Sequence, residues 1–122
     1  MDNNRSTVYG DGYDLLERSP QMPADADFAV VLTDDCMEPY FKEGESVWIK
    51  ARAELEEFEA GLFLYDGRVL CRQWCLDHKG TVHLLCANPL RERENVSAQR
   101  NKTLRVLGRV VTDKKLPRPV YT

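Results

Sequence analysis

Apolar residues in this chain come in short runs closed by turn formers, not on the 3.6-residue period of an amphipathic helix. Phe28-Ala29-Val30-Val31-Leu32 is rich in β-branched residues and reads as a buried strand. Ser46-Val47-Trp48-Ile49-Lys50 reads as another. Leu62-Phe63-Leu64-Tyr65 and Arg68 to Trp74 flank Asp66-Gly67, the pattern of a hairpin with a two-residue turn. His78-Lys79-Gly80 predicts the next turn, leading to a strand over Thr81 to Cys86, and a last strand spans Thr103 to Val111. Between these, 34–41 predicts a turn or single helical turn, and Lys42-Glu43-Gly44-Glu45 a second turn. A brief helix is expected over Glu54 to Glu59, closed by Gly61 as its C-cap. Ala87 to Lys102 reads as a polar loop. The first 27 residues are polar and punctuated by Tyr9-Gly10-Asp11-Gly12, Ser19-Pro20 and Met22-Pro23, which suggests an extended arm with a short strand or turn near Tyr13–Leu16. The expected organisation is an arm over 1–26, a β domain over 27–113 and a Pro-rich tail over 114–122. Closely spaced short strands argue for a mainly β fold, a small, twisted, partly closed sheet with one or two short helical turns.

At 122 residues the chain is long enough for one domain with a core. Its net charge is −3, and no Lys/Arg run forms a basic stripe, so nucleic-acid binding by this chain alone is not expected. No apolar run reaches the ~20 residues of a membrane helix and no signal pattern opens the chain, which makes a cytoplasmic location the default and a membrane no partner. Cys36, Cys71, Cys75 and Cys86 are then expected as free thiols. Cys71 and Cys75 share a strand face but stand ~13 Å apart, too far for a disulfide. Cys75, His78, His83 and Cys86 can be drawn as a Cys2His2 zinc site across one turn. Strand alternation sends these side chains different ways, so the reading is core cysteines with solvated histidines; no metal and no cofactor is assigned. The acidic run Glu54 to Glu59 reads as solvated surface.

The chemistry concentrates in Asp34-Asp35-Cys36-Met37-Glu38-Pro39, which sets a cysteine beside a turn-forming proline between two strands, with Arg72 in a later strand. This hexapeptide, the following Glu43-Gly44-Glu45 and the apolar Val47-Trp48-Ile49 resemble the C-terminal domain of LexA-like and phage-type repressors, the S24 peptidase family. Cys71-Arg72-Gln73-Trp74, Leu84 to Pro89 and Leu104 to Val111 match later segments of that pattern, in order. The resemblance runs from about Tyr9 to Val111 and implies the β-clip type of fold shared with signal peptidases. In active relatives a serine in the hexapeptide attacks a peptide bond of the protein's own N-terminal arm. A lysine in the hairpin strand is the general base, and the cut bond usually joins an alanine to a glycine. The resemblance places those roles at Cys36, Arg72 and Tyr9-Gly10.

A serine–lysine dyad works because a desolvated lysine can lose its proton near neutral pH. A guanidinium stays protonated even when buried, so Arg72 cannot serve as that base. It can stabilise a Cys36 thiolate, which needs less activation than a serine. Tyr9 also puts a bulky side chain where relatives carry a small one. The resulting expectation is a non-cleaving pseudo-peptidase, the regulatory and dimerisation domain of a prophage-type repressor. As a homodimer it would reach DNA only through an upstream helix-turn-helix domain not present in this chain. A cysteine-dependent self-cleaving peptidase and a thiol redox or zinc sensor stand as the alternatives. For Cys36 and Arg72 the plainer expectations are a small buried thiol and an ion pair with Asp34 or Asp35.

Overall fold

The computed structural model describes residues 7–9, 13–16, 22–51, 54–98 and 102–118. Among the described residues nine strands form one antiparallel sheet: β1 (Thr7–Tyr9), β2 (Tyr13–Leu16), β3 (Phe28–Val31), β4 (Ser46–Ala51), β5 (Ala60–Tyr65), β6 (Arg68–Leu76), β7 (Val82–Leu85), β8 (Val96–Ser97) and β9 (Leu104–Val111). Their order is β1-β2-β3-β4-β9-β5-β6-β7-β8. The last strand thus enters between β4 and β5, and the sheet curls into the partly closed β structure that the pattern of short strands predicts.

Local chemistry explains the main joints. Asp66 (φ 54°) and Gly67 (φ 79°) both occupy the left-handed region, as a two-residue hairpin turn requires. Gly108 lies where β9 passes from β4 to β5 beside a register shift at Leu62/Phe63. A Cβ there would stand 2.6 Å from the Lys50 carbonyl oxygen, so only glycine permits the close approach. Strands β5 and β6 are covered on both sides. Leu62, Val69 and Cys71 join Val30, Ile49 and Met37 in one core cluster. Phe63, Leu70 and Leu84 form another, on which Trp74 stacks with its ring 6.0 Å from that of Phe63.

The structure departs from the sequence reading in three places. No helix forms over 54–59. Phe58 takes φ 66°, its N–H donates to the Trp74 carbonyl, and the Trp74 N–H donates to that of Glu59, so the segment runs along β6. A six-residue helix is too short to hold itself, and burial of Leu55 against the cluster around Phe63 draws the chain onto the sheet instead. Gly61 consequently lies inside β5 rather than capping a helix. The stretch read as a polar loop contains a 3-10 turn (Pro89–Glu94) and strand β8. The short strand expected near Tyr13–Leu16 does form, as β2, and with β1 it makes a hairpin that pairs with β3 through Leu15↔Val30 and Leu16↔Ala29. Beyond β9, the tail returns over the domain. Leu116 packs on the first core cluster, and the Pro117 carbonyl accepts a hydrogen bond from Gln73 Nε2 at 2.9 Å.

Candidate functional site

The site is built from three segments that meet at one end of the sheet. The first is the turn after β3. Asp34 Oδ1 accepts the Cys36 N–H at 3.1 Å, an Asx-type bond between a short side chain and the backbone two residues on. The Met37 carbonyl then accepts the Tyr40 and Phe41 N–H groups, closing a single helical turn. Met37 and Phe41 are buried in the first core cluster, so the turn is anchored on both sides of its loop. Cys36 sits within it, 2% exposed.

The next segment is the middle of β6. Arg72 is 2% exposed, and its Nη1 donates to Asp34 Oδ2 at 3.3 Å and to the Cys71 carbonyl at 2.8 Å. One carboxylate therefore orients both the backbone of Cys36 and the guanidinium of Arg72. A buried cation requires such compensation, since an unpaired charge in the interior is costly.

The third is the segment after β7. The Asn88 N–H donates to the Cys36 carbonyl at 2.9 Å, and Asn88 Nδ2 donates to that of Asp35 at 2.9 Å. Arg91 grips the Asp35 carboxylate with two bonds, of 2.8 and 3.0 Å, and thereby lowers the Asp35 pKa. Asn95 Oδ1 accepts the Cys86 N–H at 2.7 Å. These bonds hold Cys86 against the turn, where the thiols of Cys36 and Cys86 hydrogen-bond to each other.

This pairing decides the electrostatics. The Cys36 thiol is pushed well above the usual thiol range, first by its hydrogen bond to Cys86 and then by burial; Arg72 pulls the other way and is outweighed. Cys86 is lowered, by the Cys36 hydrogen bond ahead of the attraction of Arg72, with burial opposing. The two thiols thus shift in opposite directions, Cys36 up and Cys86 down. Nearby Cys71 is pushed up to about 12 by burial.

The structure brings Cys36 and Arg72 together through Asp34. Tyr9 ends β1, its backbone opposite Tyr13. The β2–β3 register turns that end of the hairpin toward the end of β3 from which the Cys36 turn departs. Gly10 lies outside the described residues. The residues drawn as a zinc set are separated by their own partners. His83 lies between Asp77 Oδ2 (2.9 Å) and Ser97 Oγ (2.8 Å), Cys75 Sγ contacts Glu57 Oε2 at 3.6 Å, and Cys86 faces Cys36. Among the described residues no three His, Cys, Asp or Glu side chains converge as metal ligands.

At this end of the sheet β3 thus leads to an anchored turn that carries Cys36, joined through Asp34 to the buried Arg72 on β6. The family model described as Peptidase S24-like matches residues 4–111. The chain belongs to the Peptidase S24-like family. No curated protein matches it. Among the described residues no helix is long and apolar enough to cross a membrane.

Within this S24-like domain, sequence reasoning missed the part played by Cys86 and by the asparagines around it. Asn88 lay within the matched segment Leu84 to Pro89, but nothing in that match says that it bonds the carbonyls of Asp35 and Cys36. The partner of Arg72 was narrowed to two adjacent aspartates. The structure divides them, Asp34 to Arg72 and Asp35 to Arg91.

Proposed function

We propose that this S24-like domain is the regulatory and self-association module of a LexA-like or phage-type transcriptional repressor, and that it does not cleave its own arm. The observation that carries the reading is Arg72, a buried guanidinium fixed on Asp34 where active relatives place a neutral lysine. It cannot take a proton from Cys36 or pass one to a leaving amine. The thiol at the nucleophile position is meanwhile held in its protonated form by Cys86 and burial. The remaining role of such a domain is to couple two DNA readers of the helix-turn-helix type. Holding two half-site contacts together raises operator affinity without any new base contact. Strand β9 pairs with β4 from Gly108 to Val111 and with β5 from Leu104 to Arg109, and its exposed Val106 side chain is where this strand would meet a second copy.

The test is to hold the reduced chain at alkaline pH and follow its intact mass beside Cys36→Ser and Arg72→Lys variants. Wild type stays whole. A Cys36-dependent fragment ending at Tyr9 would make the domain a working cysteine peptidase. Sedimentation of the same sample tests self-association, with a dimer expected at micromolar concentration and a monomer counting against that half of the proposal.

A further inference from the structure

The two sulfurs that make the pocket poor for peptide hydrolysis are well placed for a different reaction. Cys36 and Cys86 are both free thiols, about fifty residues apart in sequence, and the Asn88 bonds to the Cys36 and Asp35 carbonyls, each 2.9 Å, lay the segment that carries Cys86 on the Cys36 turn. The Asn95 bond to the Cys86 N–H fixes that residue within its own segment, so the approach of the two cysteines is built into the fold, and each thiol shifts the pKa of the other. Cys86 also borders a cleft of about 580 Å³, lined in addition by Pro39, Tyr40, Asn88 and Asn95. That cleft is the side from which a small oxidant would approach Cys86.

We propose that Cys36 and Cys86 form a reversible disulfide on exposure to a peroxide, with Cys86 reacting first and Cys36 resolving. In the first step the Cys86 thiolate attacks one peroxide oxygen. An S–O bond forms, the O–O bond breaks, and the departing hydroxide takes up a proton as water. Sulfur is oxidised to a sulfenic acid and the peroxide is reduced. In the next step the Cys36 sulfur attacks that of Cys86. The S–S bond forms, the S–O bond breaks, and hydroxide leaves with the Cys36 proton as a second water. The balance is two thiols and one peroxide to one disulfide and two waters.

The lowered pKa of Cys86 and the neighbouring guanidinium support the order of events, because the thiolate is the form that attacks peroxide. Cys71 and Cys75 are internal controls, both buried, one with its thiol pushed up to about 12 and the other against Glu57. The product withdraws the sulfur at the nucleophile position and staples the Cys36 turn to the segment after β7. This goes beyond the repressor-domain reading, because it needs only the two sulfurs and the oxidant.

The experiment treats the reduced, full chain with one equivalent of hydrogen peroxide, alkylates the remaining thiols, and maps the digest by mass spectrometry without reductant. Two of the four cysteines should escape alkylation, in one crosslinked pair of peptides carrying Cys36 and Cys86, and dithiothreitol should restore both. The oxidised chain should melt roughly 5–15 °C above the reduced one, as closure of a long loop implies. Cys36→Ser should accumulate a dimedone-reactive sulfenic acid on Cys86, and Cys86→Ser should give neither crosslink nor comparable labelling of Cys36. Four alkylatable thiols after peroxide, a crosslink through Cys71 or Cys75, or equal dimedone labelling in the two variants overturns the proposal. The cleavage test above is read in reductant and this one in oxidant, so the two readings fail separately.

Discussion

Two polar clusters flank strand β7 and are assembled from similar parts. Just past its end, Cys86 meets Cys36, Arg72 and Asp34; near its start, His83 bridges Asp77 and Ser97. Each holds a nucleophilic side chain, a basic one and a carboxylate. By residue type alone, the cluster around His83 is the more suggestive of catalysis, since serine, histidine and aspartate are the members of a hydrolytic triad. Its geometry says otherwise. His83 and Ser97 are cross-strand partners of β7 and β8, and Asp77 also accepts the Lys79 and Thr81 N–H groups at 2.8 and 2.9 Å. That cluster pins a two-residue strand and a turn to the sheet edge. The cluster around Cys86, to which the sequence resemblance points, has a guanidinium in place of a base and a Cys36 thiol pushed up by Cys86 and by burial. Neither residue type nor position in the family frame is therefore enough. The protonation state that the surroundings enforce decides the chemistry.

The same contrast predicts unequal costs of disruption. The largest effect is expected for Arg72→Ala, which leaves Asp34 without its buried cation and opens a cavity. The loss should be about 3 kcal/mol, read as a lower urea midpoint at unchanged slope. Replacing both partners, Arg72→Met with Asp34→Asn, should recover much of that loss, because no uncompensated charge then remains. If the double variant is as unstable as the single, the pair is not what stabilises the pocket. Next comes Asn88→Ala, which removes the buried amide linking Asp35 to the start of the 3-10 turn and should cost about 1–3 kcal/mol. That change should also loosen Cys86 from Cys36, seen as faster alkylation of both thiols under native conditions. Ser97→Ala, at the exposed cluster, should cost only about 0.5–1 kcal/mol, since water can replace its bond to His83.

The smallest effect is one of pH. The Asp77 carboxyl is held down to about 2, chiefly by its hydrogen bond to His83 and then by the Thr81 N–H. A carboxyl whose folded value lies below its unfolded one contributes stability that is present above about pH 4 and lost as pH falls toward 2. Asp77→Asn should therefore melt below wild type at neutral pH, with the gap closing across that acid window. A gap that stays constant down to pH 2 would show that the carboxylate charge contributes nothing there.

Much of the frame was legible in the order of residues. Alternating and β-branched runs placed β3, β4, β6, β7 and β9 to within one or two residues, because a strand half-buried on a sheet must show its burial in its own side chains. The Asp66-Gly67 turn was legible for a local reason, the need for two residues that tolerate left-handed backbone. Glu54 to Glu59 was misread because its charges suit a helix surface while Leu55 and Phe58 are claimed by contacts distant in sequence. Strand β8 escaped notice because two residues carry no periodicity, and it exists only through pairing with β7.

The sequence by itself determined a mainly β chain, the candidate positions Cys36 and Arg72, and the incapacity of an arginine to act as a base. That last conclusion needs no coordinates, because guanidinium basicity exceeds anything burial can offset. Only the tertiary structure decided which aspartate holds Arg72, that the segment carrying Cys86 lies on the Cys36 turn, and that the serine–histidine–aspartate cluster is a structural pin. All three depend on side chains far apart in the chain meeting at fixed distances. Residue order does not encode such meetings locally, since sheet register and the bonds of Asn88 and Asn95 create them.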